Sequence, residues 1–186
     1  MYQIDKKQNK ISRLEEKTFS ELGFKEREHL QEWIAKDPSC LGEELLIIQK
    51  EFDGFQETRE RLDLLAVDKQ GNLVIIENKL DDSGKDVTWQ VIKYASYCSS
   101  LSKEDIRNIY HQYLKAIHSE TSAEESLAEF LGKEDYAEVL INQGSGQRII
   151  MIAGKFRKEV TSTVIWLMNF NIRMQCFKVT PYIFGE

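Results

Sequence analysis

The stretch "RLDLLAVDKQGNLVIIENK", Arg61 to Lys79, restricts the fold more than any other part of the chain. Two runs of Leu, Val, Ile and Ala flank "DKQG". Asp at the first position and Gly at the fourth suit a type I turn followed by a left-handed glycine, the three-residue hairpin loop that closes on a bulge. In that register Asp68 faces Asn72, Asp63 faces Glu77 and Arg61 faces Lys79. Side chains alternate across a strand, so Asp63, Glu77 and Lys79 share one face, and Leu62, Leu64, Val74 and Ile76 belong to the core on the other.

Directly opposed residues in such a hairpin have Cβ atoms about 4.5–5.5 Å apart, and two like charges there destabilise the pair. A divalent cation removes that repulsion. Mg2+ takes oxygen ligands from one or two carboxylates, with waters and phosphate completing its shell. Lys79, one pleat further along, is placed to contact a phosphoryl oxygen or a water. The pattern suits metal-assisted hydrolysis of a phosphodiester. By spacing alone it equally suits a surface ladder in which Arg61 and Lys79 neutralise Asp63 and Glu77.

The rest of the 186 residues divides around this hairpin. "MYQID" and "NKISRLE" read as a short hairpin turning at 5–9. "TFSELGF" has a capping Thr18 and stops at Gly23, which predicts one short helix. Leu30, Trp33 and Ile34 fall on one side of "KEREHLQEWIAKD", a helical spacing that Pro38 closes. "EELLIIQKEF" reads as a helical turn running into a strand. "DVTWQVIKYASYCSSL" is helical, with Val87, Val91, Tyr94, Ala95 and Cys98 on one stripe. A Glu-rich helical stretch follows at about 103–140. Then come a buried strand "QRIIMIAGKF", a helix "KEVTSTVIWLMNFN" and a final strand or pair in "IRMQCFKVTPYIF". The order predicts an α/β layered fold. Residues 1–25 are expected to pack as N-terminal strands and a short helix on a main domain, 26–186, that carries a helical insertion.

Several function classes drop out. No apolar run reaches the roughly 18 residues of a membrane helix, and "MYQIDKKQNK" has no signal-peptide core, so cytoplasm is the expected location. Cys40, Cys98 and Cys176 have neither disulfide-framework nor zinc spacing and read as buried free thiols. His29, His111 and His118 form no ligand pair. A formal charge of −6 argues mildly against a nucleic-acid partner, although a local basic patch can sit on an acidic whole.

The hairpin resembles the core of the PD-(D/E)XK nuclease superfamily, the restriction-endonuclease-like fold. Asp63 matches its first acid and Glu77-Asn78-Lys79 its (D/E)-x-K. "Gln90-Val91-Ile92-Lys93-Tyr94" is similar to the Q-x-x-x-Y motif of the RecB-like branch. The run from "LQEWIAKDPSCLGEELLIIQKEF" to "WQVIKYASY" also resembles the endonuclease-S-like group. The resemblance covers residues 26–100 well and 147–180 in architecture only. The superfamily's proline before the first acid is absent; Leu62 stands there.

The resemblance implies a central mixed sheet flanked by helices. It implies that Asp63, Glu77 and the Asn78 main-chain carbonyl hold Mg2+ or Mn2+, and that Lys79 orients the attacking water. Gln90 and Tyr94 would project towards the same cleft. The family often adds a Glu from the first helix: Glu32 is the first choice, Glu28 the next, and Glu43 and Glu44 weaker ones. Arg61, Lys85 and Lys93 are candidates for phosphate contact, as are Lys155, Arg157 and Lys158. Trp33, Trp89 and Trp166 read as core, with Trp89 the one most suited to base stacking. The expected function is a metal-dependent nuclease acting on DNA, single- or double-stranded left open, with a homodimer allowed and no membrane partner. The alternative is an inactive nucleic-acid- or protein-binding module on the same fold.

Overall fold

A computed structural model of the chain describes residues 1–55 and 60–183. Phe184, the last residue of the expected C-terminal strand, lies outside them. The hairpin register is the one its turn chemistry dictates. Strands β4 (Leu45–Phe52), β5 (Leu62–Asp68) and β6 (Leu73–Asp82) run antiparallel in order, and β5 pairs with β6 from Val67–Leu73 to Leu64–Ile76. Gly71 has φ of 78°, its N–H donates to the Asp68 carbonyl (2.9 Å), and the Asp68 N–H donates to the Asn72 carbonyl (3.0 Å). The buried Asp68 carboxylate also accepts from the Asn72 side-chain amide, from the main-chain N–H groups of Asn72 and Gln70 and from Arg148. Burial alone would raise its pKa; those donors outweigh that and hold it below the usual range.

On its other side β6 pairs in parallel with β7 (Arg148–Lys155), and β7 with β8 (Arg173–Lys178), giving a five-stranded mixed sheet ordered β4-β5-β6-β7-β8. This is the central mixed sheet with flanking helices that the motifs implied. Successive residues of each central strand feed opposite layers, as a sheet buried on both faces requires. Leu65, Val67, Leu73, Ile75, Ile149 and Met151 pack under α2 (Val87–Cys98), α3 (Lys103–Ala116), α4 (Ala123–Phe130) and α5 (Lys158–Met168). Leu64, Ala66, Val74, Ile76, Ile150 and Ile152 pack with Phe19, Leu30, Ile34 and Leu41 on the side of α1 (Gln31–Lys36). The Glu-rich segment is helical as expected, and Ile106, Tyr110, Leu114 and Leu127 seat α3 and α4 in the main core.

Four expectations are corrected. "TFSELGF" forms turns: Thr18 and Glu21 exchange the bonds of a helix cap, but no helix follows. Leu62 does not share a layer with Leu64 but packs with Phe52, Phe55 and Tyr94 under α2. Between the flanking pairs Lys50–Leu64 and Phe52–Leu62, β4 carries Glu51 at a left-handed φ of 50°. Trp89 (68% exposed), Trp166 (59%) and Trp33 (43%) are not core. Of the cysteines only Cys98 is buried; Cys176 is half-buried and Cys40 exposed. The N-terminal hairpin, β1 (Tyr2–Asp5) with β2 (Lys10–Arg13), forms as expected, while β3 (Glu15–Glu16) pairs with β9 (Tyr182–Ile183).

Candidate active site

Asp63 and Glu77 lie where the antiparallel half of the sheet gives way to the parallel half. The β5–β6 pairing ends at Leu64–Ile76. Beyond it the Asp63 carboxylate replaces the main chain as partner: Oδ2 accepts the Asn78 N–H at 2.7 Å. A side chain thus takes over a ladder bond, which fixes Asp63 against β6 at the point where the strands part. Both acids are buried. Glu77 Oε1 accepts from Lys79 Nζ at 2.7 Å, while Glu77 Oε2 is buried with no hydrogen-bond partner.

The electrostatics follow from that crowding. Burial, then the charge on Glu77, pushes the Asp63 carboxyl up to about 8; the Asn78 N–H and Lys79 pull the other way. Burial also raises Glu77, against the opposing pull of Lys79. Burial would lower Lys79, but its contact with Glu77 and the charges of Glu26 and Asp63 outweigh that and keep the ammonium protonated. Two buried acids that resist ionising together, one with a free oxygen, form a site that a cation stabilises.

Gln90 and Tyr94 come together as their spacing implied, on the inner face of α2. Gln90 Nε2 donates to Tyr94 Oη, and Tyr94 Oη donates to the Arg61 carbonyl, both at 3.0 Å. The tyrosine is fully buried and stacked on Phe55, so it serves the core and also pins the main chain two residues before Asp63. The Arg61 side chain is half exposed and 3.7 Å from Asp53. Lys93 ion-pairs with Glu60, and Lys85 is exposed in the short loop before α2. That loop is an anchored turn: the Ser83 N–H donates to the Lys155 carbonyl, and Ser83 Oγ accepts the Arg157 N–H. Arg157 pairs with Asp82, whereas Lys155 and Lys158 are exposed.

The structure does not bring Glu32 to the acids. Glu32 Oε1 accepts from Lys50 at 2.6 Å, and Glu28 pairs with Lys25. Glu43 holds Arg148 and Glu44 pairs with Lys69, both at the turn end of the hairpin. The carboxylate that does arrive is Glu26: Oε2 accepts the Leu80 N–H at 2.9 Å, and Oε1 is 3.9 Å from Lys79 Nζ. Helical spacing carries the signal: Glu26 falls four residues before the buried Leu30 and eight before the buried Ile34, on their face, whereas Glu28 and Glu32 fall on the outer one. Glu26–Leu30 is a π-helical turn, with Leu30 N–H bonded to the Lys25 carbonyl and Gln31 N–H to that of Glu26. Gln31 was missed too. It is buried, and its Nε2 donates to the Asp63 carbonyl at 3.2 Å while its Oε1 has no partner. A 3.6-residue wheel does set Gln31 beside Ile34, which is the signal that it faces inwards.

Among the described residues no three acidic, histidine or cysteine side chains converge as a ready-made metal cage. The fold instead supplies two buried carboxylates with an unpartnered oxygen, a donor set that fits Mg2+ or Mn2+ when waters and substrate complete the shell. No helix of the described residues is long and apolar enough to cross a membrane.

The chain is thus a mixed α/β domain with a paired-acid site at the seam of its sheet. No family model matches it, and no curated protein matches it. Among solved structures it is similar to a repair endonuclease from Pyrococcus abyssi, with 16% identity and a TM-score of 0.39, over 83% of this chain and 48% of that one. It is also similar to the EndoMS–dsDNA2 complex, with 14% identity and a TM-score of 0.40, over 81% of this chain and 44% of that one. The chain spans about half the length of these two structures. Neither likeness is strong enough to carry a substrate or a residue's role across.

Proposed function

We propose that this chain is a divalent-metal-dependent nuclease that hydrolyses DNA phosphodiester bonds. One observation carries the reading: Asp63 and Glu77, both buried at the seam, with an unpartnered Glu77 oxygen and the Lys79 ammonium at 2.7 Å from its fellow. Asp63, Glu77 and the Asn78 main-chain carbonyl would hold the ion. When bound, Mg2+ or Mn2+ supplies polarisation of the phosphate and a source of hydroxide near neutral pH.

The chain's own residues supply the rest. Lys79 keeps its proton and neutralises charge that builds on the phosphoryl oxygens during in-line attack. Glu26 steadies Lys79 and ties the first helical turn to β6 through the Leu80 N–H. Gln31 and the Gln90–Tyr94 pair hold the main chain on either side of Leu62, so that Asp63 keeps its direction. Arg61, Lys85 and Lys93 stand on the α2 side as phosphate contacts.

Supercoiled plasmid and end-labelled single strand, each with Mg2+ and with Mn2+, test the reading. The wild type should cut, and Lys79→Ala and Glu77→Gln should lose at least a hundredfold in rate. Equal cutting by wild type and Lys79→Ala would remove the proposal. A second reading, an inactive binding module, draws on the lack of a three-residue metal cage among the described residues: Glu26 reaches Lys79 and the Leu80 N–H instead of joining the two acids. DNA binding with no Mn2+-dependent rise in melting temperature would favour it.

A further inference from the structure

The outer face of α2 carries a row of which the proposed site uses only Lys93. Trp89, Lys93 and Tyr97 recur every fourth residue and therefore line up along the helix. Trp89 is 68% exposed and Tyr97 41% exposed, against the buried Val87, Val91, Tyr94 and Cys98 of the inner face. An indole left in water gains little from folding; its flat apolar face stays available to something else. Lys93 stands between them in the row: its ammonium pairs with Glu60 and lies 5.9 Å from the centre of the Tyr94 ring, and Tyr97 rests one side on Phe55, ring centroids 5.1 Å apart. Lys85 is exposed in the loop just before the helix, and the half-exposed Arg61 stands where Tyr94 anchors the start of β5.

We propose that Trp89, Lys93 and Tyr97 form a track for an unpaired DNA strand, so that the substrate of the site is single-stranded or locally unpaired DNA. This rests on the nuclease reading. Flat aromatic side chains interleaved with cations suit bases whose faces are free, and stacking on them is tolerant of sequence. A duplex keeps those faces inside and is held chiefly through phosphates by a broad basic surface, which a chain of formal charge −6 is poorly supplied to offer. The row and the inner-face pair share one helix, Gln90 next to Trp89 and Tyr94 next to Lys93 in sequence. Through Tyr94 the helix is bonded to the main chain two residues ahead of Asp63.

The test is fluorescence anisotropy of the full chain with labelled oligo(dT) and with a duplex of equal length, in Ca2+ and again in EDTA. The strand should bind more tightly than the duplex. Trp89→Ala should weaken strand binding about tenfold and leave duplex binding unchanged, while Trp89→Phe keeps most of the affinity. Lys93→Met should reduce the salt dependence of strand binding. Trp89 is exposed, so its two variants fold. No strand binding, equal affinity for strand and duplex, or a Trp89→Ala protein that binds the strand like wild type would overturn the proposal. Strand binding through Trp89 without cleavage in Mn2+ would keep the track and remove the nuclease. Cleavage indifferent to Trp89 would remove the track alone.

Discussion

At the scale of residues, the site is a balance of charges that the fold holds too close. Asp63 keeps its proton up to about pH 8 in the metal-free fold, chiefly through burial and then through Glu77, but only to about 4 in the unfolded chain. The folded state therefore holds the extra proton, and this group's share of stability is present below about 4 and is lost as pH rises through about 8. Asp63→Asn cannot ionise and can still accept the Asn78 N–H. Metal-free, it should melt higher than wild type, with the gap widening from about pH 5 to about pH 8.5, on the order of a few kcal/mol. Thermal melts across that range check it; a gap that shrinks with pH would contradict the burial of this acid. Tyr94→Phe has the opposite sign. It strands the Arg61 carbonyl and the Gln90 amide, and should cost about 1–3 kcal/mol in denaturant unfolding.

At the scale of elements, what was legible in the sequence was what local chemistry decides. The β5–β6 register followed from Asp68 and Gly71, because turn type fixes the pairing before any tertiary contact forms. The same turn shows where local reading stops. A Cβ on Gly71 would sit 2.3 Å from the Leu140 carbonyl, and Gly71's own carbonyl accepts the Asn142 N–H at 2.8 Å. Gly71→Ala therefore meets strain at positive φ and a clash with the end of the helical insertion. It should destabilise by more than about 1 kcal/mol, read as a lower denaturant midpoint. Glu26 was legible as the acid in step with the buried Leu30 and Ile34, whereas Glu28 and Glu32, one turn apart from each other, sit on the opposite, solvent-facing side of the same helix. Leu62 joins the opposite layer from Leu64, an exception to strict alternation that falls across from the left-handed Glu51 of β4 and that β5's own sequence does not encode.

At the scale of the whole molecule, the sheet is antiparallel on one side of β6 and parallel on the other, and the acids sit at that seam. The order of strands and helices was readable from hydrophobic period, and so was the helical character of the insertion. Whether the insertion stood apart was not, since Ile106 and Leu127 look alike in sequence whether they cover a sheet or a partner. The exposure of Trp89 was within reach of the same period: it lies off the Val87, Val91, Tyr94 and Cys98 stripe, on the far side of the helix. The central claim is that the seam exists to hold a cation between Asp63 and Glu77. A Mn2+ anomalous map from a crystal grown with the ion tests it most directly. The account predicts a peak about 2.1 Å from carboxylate oxygens of both acids and from the Asn78 carbonyl. A map with no peak there, and Lys79 still seated on Glu77, would contradict it.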